Sequence, residues 1–210
     1  SNGIQVLTVP HTGSYHIEAY GASGGDSLSN YYHYFGGKGA VMGGTFTLTR
    51  GDKYMILIGQ KGLTGPTISH GASGGGGTFF IKGESYTSAT LPNLLIAAGG
   101  GGGSGRASSY QADGENASSS PSNTTTTGGA NGQYGTGGGG GLSASGAGIG
   151  YGSPTGSTGG RACISGGMGG IGDVNWSSGD GPNGGFGGGG GASVHAGAGG
   201  GGGYGGAGAL

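Results

Sequence analysis

Glycine in this chain comes in uninterrupted blocks, with five-residue tracts at Gly99 to Gly103, Gly137 to Gly141, Gly187 to Gly191 and Gly199 to Gly203. Of the 66 glycines among 210 residues, 20 fall in the first 97 residues and 46 in the remaining 113. Ordering glycine costs about 0.5 to 1 kcal/mol more per residue than ordering alanine, so the second stretch carries a penalty on the order of 20 to 45 kcal/mol. Composition alone suggests a disordered linker there; an ordered alternative needs a dense set of backbone hydrogen bonds to offset that penalty. A collagen triple helix is excluded, because glycine is not placed at every third position and the chain has only 6 prolines.

Polyproline-II geometry offers the ordered alternative. Its three residues per turn leave every N–H and C=O pointing sideways, to be satisfied by neighbouring strands. Without side chains, such helices pack closely enough to bond to one another in a lattice, and glycine becomes a packing requirement. At about 3.1 Å per residue a five-residue tract spans roughly 15 Å, comparable with a five-residue β-strand.

The first 97 residues follow a different rule. Tyr15, Ile17 and Ala19 alternate with His16, Glu18 and Tyr20, and Thr45, Thr47 and Thr49 alternate with Phe46 and Leu48, the period of half-buried strands. Ile4 to Val9 is β-branched and apolar. Tyr54 to Ile58, Thr78 to Ile81 and Leu94 to Ala98 are continuous apolar runs suited to strands covered on both faces. Arg50-Gly51-Asp52 reads as a hairpin connection between two of these segments. Six or more short strands with essentially no α-helix predict an all-β chain, with a β-sandwich mainly in residues 1–97 joined to a polyglycine-II bundle mainly in residues 98–210 as one compact unit.

Charge excludes whole classes of partner. Lys and Arg number 7, Asp and Glu 8, and the formal net charge is −1, so no basic surface recruits nucleic acid. No apolar run approaches the roughly 18 residues of a membrane-spanning helix, and membrane insertion is not expected. Sequons at Asn116, Asn123 and Asn175 are candidate glycosylation sites and favour a secreted, extracellular product. Cys163 is the one cysteine, which allows no internal disulfide and reads as a buried thiol.

Catalytic motifs do not rise above the glycine background. The pattern GxSxG occurs at Gly21 to Gly25 and at Gly71 to Gly75, no more often than random placement of serine among so many glycines yields. Gly36-Gly37-Lys38-Gly39 lacks the Ser or Thr that a phosphate-binding loop needs after its lysine. His11, His16, His33, His70 and His195 show no metal-ligand spacing. No enzyme activity, cofactor or metal is expected. Tyr31, Tyr32, Tyr34 and Phe35 cluster after Asp26; they form either a contact surface or a loop packed onto its own domain.

In their order along the chain, Tyr15 to Asp26, Gly36 to Ala40, Gly43 to Asp52, Leu57 to Gly62, Gly74 to Phe79, Leu94 to Gly103, Thr158 to Gly160, Gly185 to Gly191 and Gly199 to Tyr204 resemble the extracellular glycine-rich domain of anaplastic lymphoma kinase and leukocyte tyrosine kinase receptors. The resemblance implies a tumour-necrosis-factor-like β-sandwich joined to a polyglycine-II bundle, in a domain that binds a protein ligand. It also marks a departure: receptor members pair a cysteine near the position of Cys163 with one after the next glycine tract, where this chain has Ala192 and Ser193.

Two functions remain open from the sequence. With no anchor or kinase segment and little charge, the first expectation is a rigid structural module that associates with itself into fibres or a coat, through an inter-subunit strand containing Ile4, Val6 and Val9. The alternative is a receptor-type ectodomain or adhesin that binds a protein or glycan through the Tyr31 to Phe35 segment.

Overall fold

The structure, a computed structural model, describes residues 3–28, 33–65, 71–105, 139–148, 156–173, 180–193 and 198–203. The described residues are all-β. In chain order the strands are β1 (Ile4–Thr8), β2 (Gly13–Tyr20), β3 (Ser27–Leu28), β4 (His33–Tyr34), β5 (Val41–Leu48), β6 (Lys53–Leu57), β7 (Thr78–Lys82) and β8 (Leu94–Ala98). Three short 3-10 turns, Tyr86–Ser88, Leu91–Asn93 and Cys163–Ser165, are the helical elements among the described residues.

An antiparallel four-stranded sheet runs β1-β6-β7-β8, and β2 pairs with β5 in a separate two-stranded sheet. The apolar runs of β6 and β7 make sense in this arrangement, because the larger sheet is covered on both faces. On one face Tyr54, Phe80, Ile96 and Ala98 pack with Val9, Ala19 and Leu48, and with the inward residues Tyr15, Ile17, Met42 and Phe46 of the smaller sheet. The rings of Tyr54 and Phe80 stack there, with centroids 5.0 Å apart. On the other face Met55, Leu57, Phe79 and Ile81 pack with Ala89, Leu142, Cys163 and Phe186. A register shift between Phe80 and Ile81 inserts Leu95 into β8, so the consecutive residues Leu95 and Ile96 both serve the first cluster.

The Arg50-Gly51-Asp52 segment is not a hairpin connection within one sheet. It carries the chain from β5 in the smaller sheet to β6 in the larger one. It does so beside the β1–β2 connection, which makes the same crossing. The two corners are stitched together: Gly51 N–H donates to the Val9 carbonyl (2.9 Å), Val9 N–H to the Asp52 carbonyl (2.9 Å) and Arg50 N–H to Thr12 Oγ1 (2.9 Å). Local turn chemistry is the same in both cases, since Asp52 N–H still reaches the Thr49 carbonyl at 3.0 Å and Gly51 takes φ +88°.

Beyond the strands, glycine segments bond to each other sideways. Gly75 N–H donates to Gly101, Gly101 N–H to Ala22, Ala22 N–H to Gly76 and Gly202 N–H to Gly75, all at 2.8 to 2.9 Å. Gly77 donates to Gly187, Gly74 to Gly190 and Gly190 to Gly200 at 2.8 to 3.0 Å. These bonds run across position 98, joining segments near residues 22 and 75 to those near 101, 187 and 201. Spacing this close has no room for side chains: a Cβ on Gly76 would overlap the Phe186 carbonyl oxygen, and one on Gly201 the Gly100 carbonyl oxygen. Here the backbone groups that would be orphaned in a loose tether are satisfied by neighbouring backbone.

Candidate interaction surface

Of the tyrosine-rich segment, Tyr34 lies in a small two-stranded sheet. Ser27 pairs with Tyr34 and Leu28 with His33. Its base is fixed by Asp26, which stands just before β3. One carboxylate oxygen accepts the N–H of Gly36 at 2.8 Å, just past β4, and the other accepts Lys61 Nζ at 2.9 Å. Partial burial pushes the Asp26 carboxyl up. The Gly36 N–H, the Lys61 ammonium and nearby His33 outweigh that and hold it below the usual carboxylate range. Behind the hairpin the buried Ser27 takes a hydrogen bond from Ser104 Oγ at 3.0 Å, which ties β3 to the glycine segment 99–105. The hairpin is thus closed across its own base and held at two points from elsewhere in the chain.

On the hairpin, Leu28 is 49% and Phe35 56% exposed, with the Phe35 ring against His33 at a centroid distance of 4.0 Å. Tyr34 is half-buried. Tyr31 and Tyr32 lie outside the described residues, as do the sequons Asn116, Asn123 and Asn175. The clamp from Asp26 to Lys61 was not read from the sequence. Asp26 adjoins the tyrosines, but nothing in the spacing marks Lys61 as its partner.

A second polar array lies on the outer face of the two-stranded sheet. Tyr20 Oη donates to Glu18 Oε2 at 2.9 Å, His16 Nε2 lies 3.4 Å from Glu18 Oε1, and His16 Nδ1 lies 3.2 Å from Thr45 Oγ1. The Tyr20 hydroxyl and then His16 lower the Glu18 pKa, and Glu18 in turn raises that of Tyr20. The array follows from the period-two placement of residues 16, 18 and 20 on one face. It is a solvated ladder, with the His16 and Glu18 side chains 64% and 51% exposed.

The inter-subunit strand candidates separate. Ile4 is half-buried against the second core cluster, Val6 is 49% exposed, and Val9 is fully buried with its N–H and C=O bonded to Asp52 and Gly51. Of the serines in the two GxSxG matches, Ser73 is held by structural bonds of its side chain. Ser73 Oγ is buried, donates to the Asn183 carbonyl at 2.6 Å and accepts Leu63 N–H at 2.7 Å. The carbonyl of Ser23 accepts Gly62 N–H at 3.0 Å. Cys163 is buried in the second cluster, and burial pushes its thiol pKa up to about 12. Among the described residues no group of three or more His, Cys, Asp and Glu could hold a metal ion, and no helix is long and apolar enough to cross a membrane.

Fold and surface together define an all-β module in which hydrogen-bonded glycine segments carry a clamped hairpin. Leukocyte tyrosine kinase receptor of Mus musculus is 43% identical to this chain over 60 residues, which is 29% of the chain and 6% of the receptor's length. No protein-family model matches the chain.

Proposed function

We propose that the chain is a non-enzymatic, extracellular protein-binding module of the receptor-ectodomain type, in which a polyglycine-II scaffold presents the β3–β4 hairpin to a protein ligand. The stretch 43% identical to a receptor tyrosine kinase carries this reading. A hairpin clamped at its base by Asp26 supports it, because strands already held at their base bind with less entropic cost of ordering. Tyrosine and phenylalanine there supply contact area with few rotatable bonds. The fibre or coat reading, argued from low charge and the strand containing Ile4, Val6 and Val9, ranks second, because the receptor similarity favours a binding module. Catalysis finds no support in the buried Ser73 or in the solvated His16–Glu18 ladder.

The test is a screen of the chain, displayed as a dimeric fusion, against a panel of secreted and cell-surface proteins. A binder whose signal is lost when Tyr31, Tyr32, Tyr34 and Phe35 are all replaced by alanine supports the reading. Binding that survives this replacement in a correctly folded variant removes the hairpin from it. Passage of the chain through a eukaryotic secretory route with glycans at Asn116, Asn123 or Asn175 checks the extracellular half of the proposal.

A further inference from the structure

β1 forms one edge of the four-stranded sheet. In the β1–β6 ladder Ile58 N–H donates to the Gly3 carbonyl at 3.2 Å and Val9 N–H to the Asp52 carbonyl at 2.9 Å. Antiparallel ladders alternate, so Gln5 and Leu7 also bond inward to β6, while Ile4, Val6 and Thr8 turn N–H and C=O outward. β1 is a terminal strand of its sheet, so these outward groups face no other strand of the described fold.

Natural sheet edges are blunted by lysine, proline, bulges or inward charges. β1 has none of these: its sequence is Ile-Gln-Val-Leu-Thr, its ladder with β6 is in continuous register, and no charged residue occurs before His11. Its exposed side chains include Val6 at 49% and Leu7 at 37%.

We infer that β1 is a dimerisation strand that pairs antiparallel with β1 of a second copy of this chain, about a two-fold axis through Val6. That register matches every outward residue with an outward residue: Val6 meets Val6 of the other copy, and Ile4 meets Thr8 in both directions. Each facing pair exchanges both N–H···O bonds. On the opposite face Leu7 meets Gln5. The two larger sheets become one continuous sheet of twice the width. The strand suits its own copy because it carries no charge, so identical edges meet without like-charge repulsion. A contact of this kind is isologous and closes at two subunits. It is independent of the ectodomain reading and does not involve the β3–β4 hairpin.

Sedimentation equilibrium of the chain from micromolar to about millimolar concentration tests it directly. The expected result is a monomer–dimer equilibrium with no larger species. Val6→Lys places two ammonium groups across the axis, and Val6→Pro removes both central N–H donors while leaving the bonds of Gln5 and Leu7 to β6. Each variant raises the dissociation constant by about tenfold or more, with an unchanged far-ultraviolet spectrum as the check on folding. Cross-linking reads the register. Facing residues of a hydrogen-bonded antiparallel pair lie about 5.5 Å apart at Cα, within the range a disulfide spans. Under mild oxidation Val6→Cys therefore forms a covalent dimer, whereas Gln5→Cys and Thr8→Cys do not, and the buried Cys163 gives no background. A chain that sediments as a monomer throughout, association undiminished in Val6→Lys, or equal cross-linking at positions 5, 6 and 8 each overturns the proposal.

Discussion

The carbonyl oxygen of Phe186 sits where a side chain on Gly76 would have to be, so the approach of segment 184–191 to segment 71–77 depends on that glycine lacking a Cβ. The neighbour is backbone, which cannot swing aside as a flexible side chain does. Gly76→Ala is therefore expected to lower the unfolding free energy by about 2 kcal/mol or more. Gly13→Ala is the control. A Cβ at Gly13 meets nothing within 4 Å, and alanine in a strand is favoured over glycine by roughly 0.5 kcal/mol, so this variant holds or gains stability. Urea midpoints of the two variants check the contrast; equal midpoints would mean the glycine segments are not close-packed.

Asp26 sets a pH window. Its folded-state pKa lies below the ordinary value, so its contribution is fully present above the unfolded pKa and is lost as pH falls through the folded one. Hairpin protection is expected to weaken below about pH 4, the ordinary aspartate range. Asp26→Asn removes the pH step and costs about 1 kcal/mol, because the amide oxygen still accepts from Gly36 but no longer pairs with a cation. Lys61→Ala costs less, about 0.5 kcal/mol or below, since the lysine side chain is 55% exposed. Amide exchange at Gly36 followed against pH in the three proteins separates these outcomes.

Much of the strand order was legible because side chains report it. The inward set Tyr15, Ile17 and Ala19 against the outward His16, Glu18 and Tyr20 marks β2, and unbroken apolar runs mark β6 and β7, which have cores on both faces. The start of β5 was not legible, because Gly43 and Gly44 look like a break. In the fold they pair with Glu18 and Ile17, and the Phe46 ring covers Gly44. Glycine segments carry no side-chain pattern at all. That Gly75 lies between Gly101 and Gly202 could not be read from residues identical on every side, although the need for lateral bonds could. The clamp stayed hidden for a related reason: Asp26 and Lys61 are 35 residues apart and meet only through the fold.

Cys163 is expected to behave as an inert core residue. With a pKa of about 12 it is about one part in ten thousand thiolate at pH 8, and it is buried besides. Iodoacetamide at pH 8 should leave the native chain unlabelled and modify it fully in denaturant. Cys163→Ala should be tolerated better than Cys163→Ser, which leaves a hydroxyl among Met55, Leu57 and Phe186 at a cost of about 1 to 3 kcal/mol. Rapid native labelling would mean that this face of the larger sheet opens readily.

The sideways bonds of the glycine segments make the sharpest demand on the measurement that can see them. An amide exchanges only when its hydrogen bond opens, and the free energy of opening ranges from near zero in mobile loops to the global value in the core. Gly75, Gly101 and Gly202 each donate to a backbone carbonyl at 2.8 to 2.9 Å, and all three are buried. Their amides are expected to be as protected as those of Met55 and Phe79, which lie in the middle of the larger sheet. An unstructured glycine-rich peptide of the same composition serves as the fast reference. If Gly101 and Gly202 exchange at the rate of an unstructured peptide while β6 and β7 remain protected, the glycine segments are tethers, and the hairpin they support has no rigid base from which to bind.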